Sequence, residues 1–127
     1  MTRCVIDTSV VLAYLFQEPG KDLALALFGD ALLSSINFAE IATKLASLGR
    51  DEAQILADFG RLNIKTLAFT DDLAFTTGLL RSATHHKGLS LGDRACLALA
   101  MREKLPVYTA DRVWAGLDVG VEIRLLR

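Results

Sequence analysis

Arg3-Cys4-Val5-Ile6-Asp7, running directly into Thr8-Ser9-Val10-Val11-Leu12-Ala13-Tyr14-Leu15-Phe16, decides the fold class. The first five residues read as a short buried strand with β-branched residues and one charge at its end. The next nine read as an apolar helix, stopped by the turn signal Glu18-Pro19-Gly20. Downstream the alternation repeats. Leu23 to Phe28 predicts a second, shorter helix, and Ala31-Leu32-Leu33-Ser34 a second strand. Phe38, Ile41, Ala42, Leu45 and Leu48 then fall on one face of a helix ending near Gly49, a stripe that reads as core packing.

An amphipathic segment from about Asp51 to Leu62, a strand over Lys65 to Phe69 and a long helix over Asp71 to His86 follow. Ser90 opens a helix whose middle, Ala95 to Met101, is apolar all round and therefore buried on most sides. Pro106-Val107-Tyr108-Thr109 and Val121 to Leu126 read as the last two strands. Strands alternating with helices predict an α/β domain with a mainly parallel sheet covered on both faces. No linker, repeat or low-complexity tract divides residues 1–127, so a single domain is expected.

Composition narrows the function classes. Of 127 residues, 52% are apolar and mean hydropathy is +0.36, which excludes disorder and leaves apolar surface for a partner to cover. Fourteen Lys and Arg against fifteen Asp and Glu give a net charge of −1, so charge does not announce a nucleic-acid binder. Cys4 and Cys96 each lie in an apolar run and read as reduced core residues of a cytoplasmic protein. The longest apolar runs, such as Val10 to Phe16, fall far short of the ~18 residues a membrane span needs. Nor does the N-terminus read as a signal peptide, because Asp7 interrupts its first apolar stretch.

Eleven of the fifteen acids fall at turns, helix starts or polar faces; Asp7, Glu40, Asp93 and Asp111 do not share that pattern. Asp7 ends the first strand and Asp111 follows the Val107–Thr109 strand. Glu40 and Asp93 are placed in the first turns of their helices. In an open parallel sheet all strand-to-helix turns lie along one edge, where ligands bind, so the four carboxylates can converge on one cleft. A structural explanation exists for each acid. Asn37-Phe38-Ala39-Glu40 and Ser90-Leu91-Gly92-Asp93 both resemble capping boxes, and Asp7 and Asp111 can be N-caps. Together, however, four like charges in one cleft oppose one another's ionisation unless a cation is present. Carboxylates without supporting His or Cys suit a hard ion, Mg²⁺ or Mn²⁺.

Val5-Ile6-Asp7-Thr8-Ser9, Asn37-Phe38-Ala39-Glu40-Ile41, Leu89 to Ala100 and Tyr108-Thr109-Ala110-Asp111-Arg112-Val113-Trp114 together resemble a PIN domain, more narrowly a VapC-type toxin of a toxin–antitoxin pair. The four motifs occur in order over the whole chain. The resemblance implies a three-layer PIN-like α/β fold and a metal-dependent endoribonuclease. It makes Asp7 and Asp93 the main Mg²⁺ ligands and has Glu40 and Asp111 complete the acidic quartet. It further implies an RNA substrate, a small antitoxin partner covering the cleft, and a homodimer or toxin–antitoxin hetero-oligomer. The alanine- and leucine-rich segment Thr8 to Phe28 offers apolar surface for such contacts.

Neighbouring residues carry weaker readings. Ser9 and Thr109 can hydrogen-bond a carboxylate or a substrate phosphate, or serve as ordinary turn hydroxyls. Arg94 and Arg112 can contact RNA phosphates or a partner's acids, or remain solvated. His85-His86-Lys87 reads as a helix-end cation group, because adjacent helical residues point about 100° apart. Trp114 reads as a core or interface aromatic.

Several rival functions lack their residues. A receiver-type phosphoacceptor needs an acid pair after the first strand and a late lysine, and an aspartyl phosphatase needs an Asp where Ser9 stands. Phosphate-binding glycine loops are absent. The remaining alternative is a non-catalytic PIN-like interaction module whose acids only cap helices.

Overall fold

The computed structural model describes residues 3–127. Among these, five parallel strands form one sheet: β1 (Cys4–Ile6), β2 (Ala31–Ser34), β3 (Lys65–Leu67), β4 (Val107–Thr109) and β5 (Ile123–Leu125), in the spatial order β3-β2-β1-β4-β5. The helices are α1 (Thr8–Leu15), α2 (Lys21–Leu27), α3 (Ser35–Ser47), α4 (Glu52–Gly60), α5 (Asp71–Leu79), α6 (Arg81–Thr84) and α7 (Leu91–Glu103). The sheet is parallel throughout, and the α/β class expected from the alternation is the one found.

Period-two alternation divides the core. Cys4, Ile6, Ala31 and Leu33 face Val10, Val11, Phe28 and Ile41 on one side of the sheet. Val5, Leu32 and Val107 face Leu97, Leu99 and Trp114 on the other. Strand neighbours therefore point to opposite faces, and both faces are dry at the centre of the sheet, which explains why β1 and β2 carry no polar residue in their middles. Helix α7 is buried from Ala95 to Ala100, as its all-round apolar middle requires. Cys4, Cys96 and Trp114 are core residues. Phe16, Leu23 and Leu25 of the early helices remain exposed.

Two local expectations are corrected. The predicted helix over Asp71 to His86 is broken at Leu80 into α5, α6 and a 3₁₀ turn over His85–Lys87. Thr77 and Thr84 bond back to the carbonyls of Leu73 and Leu80, at 2.7 and 2.8 Å, an arrangement that bends helices. The Thr77 carbonyl, the helical acceptor for Arg81, also receives Arg94 Nη1 at 2.9 Å. The second correction concerns α3. It starts at Ser35 with Ser34 as N-cap, whose Oγ accepts from Ile36 N at 3.3 Å. Asn37 is therefore inside the helix rather than its cap, and Glu40 lies in the second turn. The capping box read at Ser90-Asp93 is present, and a further one joins Asp51 to Gln54.

Candidate active site

The strand order reverses at β1, from which the chain first builds outward through β2 and β3 and later through β4 and β5. In parallel sheets the crevice beyond the strand ends at such a switch point is where ligands bind. Asp7 directly follows β1, Asp111 lies two residues beyond β4, Glu40 projects from α3 after β2, and Asp93 sits in the first turn of α7. The four acids found by sequence share this crevice: Glu40 and Asp111 act on Asp93, and Asp93 on Asp7.

Asp7 is buried, at 4% exposure, and its two oxygens are divided between donors. Oδ1 accepts from Ser9 Oγ at 2.5 Å and from Val10 N at 3.3 Å; Oδ2 accepts from Thr109 Oγ1 at 2.7 Å. Each hydroxyl is itself held from behind, Ser9 Oγ by Ala110 N at 2.8 Å and Thr109 Oγ1 by Asp111 N at 3.0 Å. With both protons given to Asp7, the 3.4 Å approach of the two hydroxyls has no proton left to share. Burial pushes the Asp7 pKa up from 3.8 to about 6, against the pull of the Ser9, Thr109 and Val10 hydrogen bonds, with Asp93 adding to the rise.

Asp93 is half-buried. Its Oδ2 accepts from Ser90 N at 2.9 Å, while Asp93 N donates to Ser90 Oγ at 3.2 Å. Burial raises its pKa first; the Ser90 bonds oppose this, and the charges of Glu40 and Asp111 add to it. Asp111 is exposed and caps the 3₁₀ turn Arg112–Trp114 through Val113 N at 3.0 Å. Capping and convergence thus coexist: Asp7, Asp93 and Asp111 each hold a helix end and still face the crevice.

The secondary candidates separate. Ser9 and Thr109 both touch Asp7. Arg94, half-buried, is turned onto α5 at Thr77, and Arg112 is exposed. His85 meets Arg81 Nη2 through Nδ1 at 3.2 Å, Lys87 Nζ donates to the Ala115 carbonyl at 2.9 Å, and this segment lies outside the acidic crevice. Sequence reading missed Asn37 and Gly92, which touch Glu40. Neither belongs to a residue type that announces acid–base or metal chemistry. Two open grooves flank the acids. One, of about 530 Å³, is lined by Glu40, Lys44, Ser90 and Gly92; the other, of about 450 Å³, by Ser9, Leu12, Phe16, Lys44 and Arg127.

Among the described residues, no group of three His, Cys, Asp or Glu side chains is arranged to enclose a metal ion by itself. The donor chemistry nevertheless fits a hard divalent cation. The acids are oxygen donors; the Asp93 charge adds to the raised pKa of Asp7, and the charges of Glu40 and Asp111 to that of Asp93. Mg²⁺ commonly takes only one or two carboxylates and fills its shell with waters and phosphate oxygens. No helix among the described residues is long and apolar enough to cross a membrane.

Comparison with known proteins places the chain and its fold. Residues 4–119 match the PIN domain family. The chain is 30% identical to Ribonuclease VapC5 of Mycobacterium tuberculosis, over 97% of this chain and 93% of that protein. It superposes on a member of the VapBC family of toxin–antitoxin systems, VapBC-5 from Mycobacterium tuberculosis, with TM-score 0.65 and 28% identity, covering 100% of this chain and 99% of the other. DNA-bound VapBC from Salmonella typhimurium shares the fold at TM-score 0.73 and 19% identity, with full coverage of both chains. The parallel sheet and its helices are therefore a known framework, and the chain belongs to the PIN domain family, in its VapC-type branch.

Proposed function

We propose that this chain is a divalent-metal-dependent endoribonuclease acting as the toxin of a toxin–antitoxin pair, with residues 1–127 as one domain. The observation that carries the reading is the Asp7 carboxylate, buried yet held by three donors at the switch point, with Asp93 beside it and Glu40 and Asp111 close by. Burying an acid at that cost in desolvation is expected where a cation offsets it.

Asp7 and Asp93 are the residues to hold Mg²⁺ or Mn²⁺, with Glu40 and Asp111 orienting waters around them. A bound ion of this kind polarises a phosphoryl oxygen and lowers the pKa of water. Ser9 and Thr109 keep the Asp7 oxygens in one orientation, so no side-chain reorganisation is needed as substrate arrives. A carboxylate oxygen of Glu40 without a donor can accept the proton of the attacking water. The RNA backbone follows the groove past Lys44. An antitoxin segment with apolar side chains fits the second groove at Leu12, Phe16 and Leu48, and basic side chains fit the acids.

Attack by water leaves the ribose 2′-OH uninvolved. The products are then a 5′-phosphate and a 3′-hydroxyl, checked by enzymatic end-labelling of the fragments. Fragments ending in a 2′,3′-cyclic phosphate would overturn the mechanism. The capping contacts of Asp7, Asp93 and Asp111 favour the second reading, a non-catalytic interaction module. That reading requires that calorimetric titration with Mn²⁺ give no binding.

A further inference from the structure

We propose that Asn37 and Gly92 are positioning residues for Glu40, forming with Thr8 a cradle that fixes one carboxylate oxygen by hydrogen bonds and seats the other, which has no donor, against Gly92; this rests on the reading of the cleft as a metal-dependent site. Glu40 Oε1 accepts from Thr8 Oγ1 at 2.5 Å and from Asn37 Nδ2 at 2.8 Å, whereas no hydrogen bond to Oε2 is formed among the described residues. Asn37 also donates from Nδ2 to the Gly92 carbonyl at 3.2 Å, so one amide ties α3 and its glutamate to the first turn of α7, next to Asp93.

Asn37 is 1% exposed, and its Oδ1 has no partner. Flipping the amide would set that oxygen against two acceptors, the Glu40 carboxylate and the Gly92 carbonyl, so the donor-facing orientation is the one the network allows. A buried amide oxygen left unsatisfied costs stability, and a well-packed core would not retain it without a return. Here the return is the seat of the Glu40 carboxylate.

Gly92 completes the seat from the other side. A Cβ at this position would meet Glu40 Oε2 first and come within 2.6 Å of Glu40 Cδ and Oε1, although the backbone of residue 92 has no conformation that demands glycine. The lack of a side chain at Gly92 is thus explained by the carboxylate pressed against it. Alanine would fit the helix and evict Glu40.

The test is a pair of double-mutant cycles on the full chain, read by Mn²⁺ affinity in calorimetry and by thermal unfolding in EDTA. Gly92→Ala and Asn37→Ala are each expected to weaken Mn²⁺ binding by about tenfold or more. In a Glu40→Ala background neither substitution should weaken it further. In EDTA, Gly92→Ala should lower the melting temperature when Glu40 is present and raise it when Glu40 is Ala, because alanine is then only the better helix former. Effects that simply add in both backgrounds would overturn the proposal. Wild-type protein that binds no Mn²⁺ would overturn the metal-site reading instead, and the unfolding cycle would still decide whether the cradle exists.

Discussion

Thr109 Oγ1 donates to Asp7 Oδ2 at 2.7 Å, joining residues 102 positions apart across the adjacent strands β1 and β4. The same hydroxyl accepts from Asp111 N, so one threonine links two of the four acids. Thr109→Val keeps the shape and removes both bonds. A loss of about 1–3 kcal/mol in urea unfolding is expected from the buried groups left unpaired. Because the Thr109 bond holds the Asp7 pKa down, the acidic limb of the cleavage pH profile should also move to higher pH. An unmoved limb would mean that Asp7 ionisation does not control the reaction.

Asp7 also makes metal-free stability depend on pH, with a definite sign. Its pKa is about 6 in the folded chain against an ordinary value of 3.8, so between these limits the folded state holds a proton that the unfolded state has released. Stability without metal should fall as pH rises from about 4 to 6 and then level off, by on the order of 3 kcal/mol at most from this group. Asp7→Asn keeps a cap-forming side chain and removes the buried charge. It should raise the melting temperature in EDTA at pH 7.5, flatten the pH dependence and abolish cleavage. A destabilised variant at pH 7.5 would show that the Asp7 charge is not strained.

Metal should act in the opposite direction. Mn²⁺ at about a hundred times its dissociation constant is expected to stabilise by roughly 3 kcal/mol, or about 10 °C in melting temperature. The gain should shrink as pH drops below 6, where Asp7 takes up a proton, and should be strongly reduced in Asp93→Asn. Differential scanning fluorimetry across pH checks both features. A pH-independent gain in both proteins would place the ion elsewhere.

Much of this site was legible because strand ends and helix starts announce themselves locally. Asp7 after Cys4-Val5-Ile6, Asp93 three residues after Ser90, and Asp111 after Val107-Tyr108-Thr109 are each fixed by their own neighbours. Parallel topology then brings them together. Glu40 was harder to place, because Ser34 and Asn37 are both good caps and only the end of β2 decides between them. The break at Leu80 was not legible: the Thr77 carbonyl there is taken partly by Arg94, seventeen residues away. Asn37 and Gly92 were missed for the same reason. Their roles exist only once α3 and α7 are in contact.

Cysteine chemistry gives an independent check on the packing. Burial pushes the Cys4 thiol up to about 11 and the Cys96 thiol well above its ordinary range. Neither forms a reactive thiolate at neutral pH. Ellman's reagent should therefore find both thiols inert in native protein and both reactive in guanidinium. Rapid labelling of Cys96 in the native state would contradict the burial of α7 on which Asp93 depends.

The most direct test is cleavage of a mixed RNA pool by purified partner-free protein, with Mg²⁺ or with EDTA, beside Asp93→Asn. Cleavage in Mg²⁺ that is lost in EDTA and reduced by at least about a hundredfold in the variant is the expected result. Cleavage that persists in EDTA, or at an unchanged rate in folded Asp93→Asn, would contradict the assignment of the acidic crevice as the site of hydrolysis.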